Sequence, residues 1–195
     1  SPQVHTPLEP NVSDKVSKHK AMVHYIDHLT GKLVDHLDAL GLRENTLIVF
    51  TADNGTSGSL KNLLKGRMVK GGKTKTTENG VNTPFIVSCP GLVPSGVVSD
   101  ALVDFTDMHA TFAEFAGGIP ESNYVYDGVS LKDVFIGKSK ESERKWILAM
   151  GSKPGRLTDK GVENVYYFRD RVVREARYKL FVGSDRNPEK LVDLQ

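Results

Sequence analysis

Cysteine is almost missing from this chain: Cys89 stands alone, which excludes an intramolecular disulfide and any zinc site built on several thiolates. No apolar run approaches the roughly 18 residues a membrane-spanning helix requires, so no membrane partner is expected. No leader is visible either, but the chain opens abruptly on SPQVHTPLEP, and that absence says nothing about export. Neither sign of charge dominates. With 26 basic residues against 24 acidic ones, net +2, the chain lacks the basic excess of a typical nucleic-acid binder, and no nucleic-acid partner is expected. Its 195 residues, 38% hydrophobic and 26% charged, suit a globular protein with one core, or one core plus a small appended layer.

The clearest element is a helix over 13–40. Met22, Ile26, Leu29, Leu33, Leu37 and Leu40 recur at spacings of three and four and form one stripe, and Gly41 supplies a stop. His24 and His28 stand four apart on another face. Such a pair can bind metal, but solvation on a polar face is the simpler reading.

RENTLIVFTADNGT follows, a short β-rich apolar run that ends abruptly in polar residues and glycine. Open α/β sheets deliver ligand-binding groups in this way, from the carboxyl ends of buried strands. Residues 56–83 read as a long polar, glycine- and lysine-rich irregular segment, of the kind that is functional or mobile inside a domain. FIVSC at 85–89 is a second buried strand, with Cys89 as a buried thiol at its end.

A helix is expected across DALVDFTDMHATFAEFAG at 100–117. GKSKESERK at 137–145 marks a break, so 1–140 is expected to form an α/β domain and 141–195 a small antiparallel β subdomain. The strands of the latter are expected in WILAMGS, NVYYFRD and ARYKLFVG.

The stretch GGKTKTTENG at 71–80 looks like the end of a phosphate-binding loop. Position 67, where the first glycine of that motif belongs, is Arg67, the last strong strand candidate ends some twenty residues upstream, and no helical period follows. A nucleotide is therefore not the expected anion. Asp53 and Asn54, directly after a strand, offer hard oxygen ligands suited to Ca²⁺ or Mg²⁺, although Asp-Asn-Gly is also ordinary turn chemistry.

Taken in order, HTPL at 5–8, YIDHLTGKLVDHLDALGLRENT, TLIVFTADNG, GKTKTTENGVNTPFIVSCPG, VDFTDMHATFAEFAG, DGVSL at 127–131 and the closing RYKLFVG…KLVDL resemble the C-terminal half of a sulfatase of the arylsulfatase type, in the alkaline phosphatase superfamily. The resemblance implies an α/β fold, part of an alkaline-phosphatase-like mixed sheet flanked by helices, plus a small C-terminal antiparallel sheet. It implies that His5 hydrogen-bonds the sulfate group and that Asp53 and Asn54 belong to a divalent-cation site, usually Ca²⁺ with Mg²⁺ an alternative. Lys73 is then the lysine that contacts the sulfate and the leaving oxygen, with Lys75 the next candidate.

Two departures stand out. Asn79 replaces a family glycine, in a turn whose left-handed backbone asparagine tolerates. Asn82 replaces an arginine whose charge and fork it cannot reproduce.

The resemblance also implies a formylglycine nucleophile, made from the Cys or Ser of an N-terminal C/S-x-P-x-R segment. Cys89, in CPGLV, does not match, so the nucleophile is expected outside this chain and the chain alone is expected to be inactive. The expected substrate is a sugar or aryl sulfate ester. The alternatives are a non-catalytic sulfatase-like anion binder, or a related phosphodiesterase or phosphonate hydrolase, many of which carry D-H-G where this chain has D-N-G. Asn54-Gly55-Thr56 is formally a glycosylation acceptor, and a glycan there would disable a metal ligand. This favours a bacterial periplasmic or extracellular setting over a lysosomal or secretory one. Uncovered sheet edges are expected to promote self-association.

Overall fold

The computed structural model describes residues 5–118, 125–151, 156–163 and 167–195. The chain divides into two compact units, Ser1–Leu92 and Val93–Gln195.

In the first unit the periodic stretch forms helix α1, Lys15–Ala39. Asp14 caps it by accepting hydrogen bonds from the Val16 and Ser17 amides, and the Ser17 side chain, followed by the Ser17 amide, holds its carboxyl below the usual carboxylate range. Gly41, at φ 68°, turns the chain out of the helix. The apolar stripe is present but largely uncovered: Ala21 is buried, whereas Leu29 and Leu33 keep 45% and 53% of their surface.

A short 3-10 turn, Arg43–Asn45, leads to β1, Ile48–Thr51. β1 pairs antiparallel with β4, Phe85–Ser88. Both strands are half-buried, with Ile86 of β4 exposed, rather than buried as expected. Arg43 donates to the Ser88 hydroxyl, and the buried Cys89 thiol donates to the Glu44 carbonyl at 3.2 Å, so the turn is pinned to the end of β4.

Residues 56–83, expected to be irregular, contain a hairpin and a helical turn. β2, Lys61–Leu64, pairs with β3, Arg67–Lys70. Their two-residue connection places Lys65 at φ 49° and Gly66 at φ 76°, the backbone signature of the I′ turns that suit hairpin twist. The one-turn helix α2, Glu78–Val81, follows.

In the second unit, α3 spans only Asp107–Phe115. The chain is non-helical over 100–106 because Asp104 ties it into a turn, accepting from both the amide and the hydroxyl of Thr106. The Asp107 carboxylate is fully buried and meets Arg144, which is 9% exposed. Asp107 also accepts from the Asp104 and Val129 amides at 2.8 and 2.9 Å. Arg144 donates onward to Thr106 Oγ1 and the Asp127 carbonyl, and the carboxylate holds its guanidinium above its ordinary value. This network, with Thr111 Oγ1 accepting from the Leu131 amide, clamps the DGVSL phrase onto the start of α3. Helix α4, Lys132–Phe135, continues from it.

The C-terminal antiparallel sheet has the order β10-β9-β8-β5: β5 is Ile147–Met150, β8 Arg171–Arg174, β9 Tyr178–Val182 and β10 Pro188–Asp193. A separate hairpin joins β6, Arg156–Thr158, to β7, Gly161–Glu163. The strand expected in NVYYFRD is displaced. Residues 164–166 lie outside the described residues, 167–170 are not strand, and β8 begins at Arg171.

Candidate active site

Asp53 and Asn54 leave the end of β1 as expected, and Gly55 follows them into contact with the Lys73 segment. The Gly55 amide donates to the Gly80 carbonyl at 2.8 Å, and the Lys73 amide donates to the Thr56 carbonyl at 2.9 Å. These bonds clasp two loops from distant parts of the sequence. The clasp explains the glycines. A Cβ on Gly55 or Gly72 would strike the Asn79–Gly80 peptide, and one on Gly71 would strike the backbone of Thr56 and Ser57. Only residues without a side chain let the backbones approach so closely.

The clasp is built from backbone groups, and the side chains of Asp53, Asn54 and Lys73 take no part in it. Lys73 and Asp53 are exposed and Asn54 is half-buried, and none of the three side chains has a hydrogen bond or ion pair among the described residues. Thr74 stands at φ 75°, an unusual backbone for a β-branched residue, which turns the chain sharply between Lys73 and Lys75. Thr76 is buried beneath that turn.

β3 does precede Gly71-Gly72-Lys73, contrary to the expectation that the nearest strand lies twenty residues upstream. The next helix, however, is the single turn that begins at Glu78, so a phosphate-wrapping loop opening a long helix is not formed. Asn79 is also corrected. It lies in α2 and is not among the positive-φ residues, so it fills the glycine position with right-handed backbone. Its side chain donates to the Lys70 carbonyl at 3.0 Å and braces the Lys73 loop against β3. Asn82 is the exposed C-terminal cap of α2.

His5 is exposed, and its Nδ1 lies 2.8 Å from the Pro10 carbonyl. A carbonyl can only accept, so Nδ1 carries the proton and Nε2 is the atom left for a ligand. No hydrogen bond joins His5 to the Asp53 or Lys73 loops. His24 pairs with Glu9 at 2.8 Å, and His28 stacks on Tyr25. Among the described residues, no three His, Cys, Asp or Glu side chains gather as a metal-binding group. Asp53 and Asn54 are chemically suited to a hard cation, but a carboxylate and an amide oxygen fill only part of the roughly six to eight positions Ca²⁺ prefers.

Ser152-Lys153-Pro154-Gly155-Arg156 fits the bare S-x-P-x-R spacing. Three fixed residues in five recur readily by chance. The match follows rather than precedes the Asp53 and Lys73 blocks, and 152–155 lie outside the described residues.

These folded pieces have counterparts in solved structures. The fold matches the crystal structure of Ps i-CgsB in complex with k-i-k-neocarrahexaose, with a TM-score of 0.75 and 28% identity over 98% of this chain and 40% of that one. That places the chain in the alkaline-phosphatase-like class of α/β folds. The sulfatase family model matches residues 3–119, and the chain belongs to the sulfatase family. It is 32% identical to N-acetylgalactosamine-6-sulfatase of Canis lupus familiaris over 150 residues, 75% of this chain and 25% of that protein. It is 31% identical to the ulvan-active sulfatase of Formosa agariphila over 149 residues, 76% of this chain and 24% of that protein. The chain thus spans about a quarter of the length of these relatives.

Proposed function

We infer that this chain contributes part of the active site of a sulfuric ester hydrolase, with Lys73 facing the sulfate group and Asp53 and Asn54 supplying oxygen ligands to a Ca²⁺ ion. The observation that carries this reading is the clasp between the two loops. It fixes the Lys73 backbone beside the segment that follows Asp53 and Asn54, and none of these three side chains has a hydrogen bond or ion pair among the described residues, which supports a shared role in ligand binding.

Hydrolysis of a sulfate ester builds negative charge on the leaving oxygen, and a fixed cation aimed there before reaction stabilises it. Lys73 takes that role, its amide anchored to Thr56. His5 hydrogen-bonds the sulfate through Nε2 and, when protonated there, can donate a proton to the departing alkoxide. A bound Ca²⁺ would add positive charge at the sulfate oxygens, with Mg²⁺ the alternative hard cation. The reading assigns the formylglycine nucleophile and the remaining cation ligands to sequence outside this chain, so the chain alone should be inactive. The substrate is a sugar or aryl sulfate ester; the co-crystallised neocarrahexaose of Ps i-CgsB supports the sugar class. A periplasmic or extracellular setting agrees with the unmodified Asn54 the reading requires.

The test compares sulfate release from an aryl sulfate with phosphate release from the matching phosphate esters by the native protein, with calcium and with chelator. Faster sulfate release that the chelator abolishes supports the reading. Preferred hydrolysis of the phosphate diester would replace it with the phosphodiesterase alternative, and no hydrolysis of either ester would favour a non-catalytic anion binder.

A further inference from the structure

Between residues 54 and 77 the sequence has no acidic residue but carries Lys61, Lys65, Arg67, Lys70, Lys73 and Lys75. All six are exposed, and none has an ion-pair partner among the described residues. Their arrangement works against the fold. In the β2–β3 register Lys61 stands directly opposite Lys70, a like-charge pairing that destabilises a hairpin. Successive residues of a strand alternate faces, so Lys61 and Lys70 share theirs with the next opposed pair, Leu63 and Met68. Between this hairpin and α1 lies a groove of about 540 Å³, lined by Lys61, Asn62, Leu63 and Met68 on one side and by His19 and Lys20 on the other. It combines an apolar strip with a cationic rim.

Lys70, which does not itself line the groove but faces the groove residue Lys61 across the hairpin, lies close in sequence to the candidate active site. β3 ends at Lys70, and Lys73 is three residues on, so their α-carbons are at most about 11 Å apart. The Asn79 side chain ties the Lys70 carbonyl to the active-site loop.

We propose that the groove between α1 and the β2–β3 hairpin is a second anion-binding site, one that holds a further sulfate group on the same glycan chain whose sulfate ester meets Lys73. This rests on the reading of Lys73 given above. Lys61 from the groove wall and Lys70 from directly across the hairpin hold the sulfate oxygens as point charges, and Leu63 and Met68 pack the C–H faces of the sugar rings. A nucleic acid fits less well, because the segment from 54 to 77 contains no Phe, Tyr or Trp on which bases could stack.

The experiment titrates the chain with dextran sulfate, uncharged dextran of equal length and oligo-dT over a range of salt concentrations. In parallel, turnover of a monosulfated aryl ester is measured in the native protein. Lys61→Gln/Lys70→Gln should weaken dextran sulfate binding tenfold or more and lower the slope of log Kd against log salt by about two. It should leave the thermal midpoint unchanged or raised, because the opposed charges are gone, and leave ester turnover unchanged. Dextran sulfate binding equal to wild type in the double variant would overturn the proposal, as would oligo-dT binding as tightly as dextran sulfate. A weakened double variant combined with wild-type turnover in Lys73→Ala would support the groove while refuting the catalytic reading of Lys73.

Discussion

Replacing Arg144 by methionine keeps most of the side chain's volume and removes its charge. The Asp107 carboxylate, with no exposed surface, would keep only the Asp104 and Val129 amides as hydrogen-bond donors, and the Asp127 carbonyl would lose the guanidinium that now bonds it. Breaking a buried pair from one side costs about 3–5 kcal/mol, because the remaining charge is stranded away from water. For a unit of roughly a hundred residues this corresponds to a fall in melting temperature of about 12 °C or more. Urea and thermal unfolding followed by circular dichroism would measure it. Asp107→Asn combined with Arg144→Met should lose less than the sum of the single changes, since the double variant strands no charge. The exposed Arg177–Asp193 pair is the internal control, and removing it should change stability little. A loss below about 1 kcal/mol in Arg144→Met would refute the view that this pair clamps DGVSL to α3.

Gly72→Ala should force the clasp apart, with a stability cost of about 1–3 kcal/mol typical of overpacking; a variant with unchanged melting and unchanged turnover would show that the loops need not approach so closely. The uncovered stripe on α1 should drive concentration-dependent self-association of the isolated chain, and Leu29→Glu/Leu33→Glu should suppress it; sedimentation showing one monomeric species at all concentrations would contradict this. The carboxyls of Asp14, Asp185 and Asp193 are held below their ordinary range by hydrogen bonds from Ser17, Asn187 and Arg177. Their contribution is therefore complete above the unfolded carboxylate pKa near about 4 and is lost as pH falls further. Stability measured across pH 2 to 6 should show that decline, and Asp14→Asn should flatten part of it.

The sequence made legible whatever was encoded locally. α1 has a stripe, a capping aspartate and a stop glycine within one continuous stretch, and β1 and β4 are short apolar runs with clear ends. The β2–β3 hairpin was hidden because KNLL and RMVK mix lysine with leucine and valine without clean alternation. Its turn is Lys-Gly rather than the familiar Asn-Gly, although the single Gly66 between two short runs was a usable signal. The late start of α3 and the buried Asp107–Arg144 pair depend on residues 37 positions apart, a coupling that periodicity cannot reveal. The candidate site was legible in its residue types, at Asp53, Asn54 and Lys73, and its assembly was not. The backbone bonds between the 53–56 and 72–80 loops show only as glycines whose purpose appears once the loops cross.

The most direct test of the central claim is the turnover of a sulfate ester by the native protein carrying Lys73→Ala, with Lys75→Ala alongside. Losing one preorganised charge-stabilising group costs about 10²–10³ in kcat, so Lys73→Ala should fall by that factor while Lys75→Ala stays near wild type. Wild-type turnover in Lys73→Ala would contradict the account.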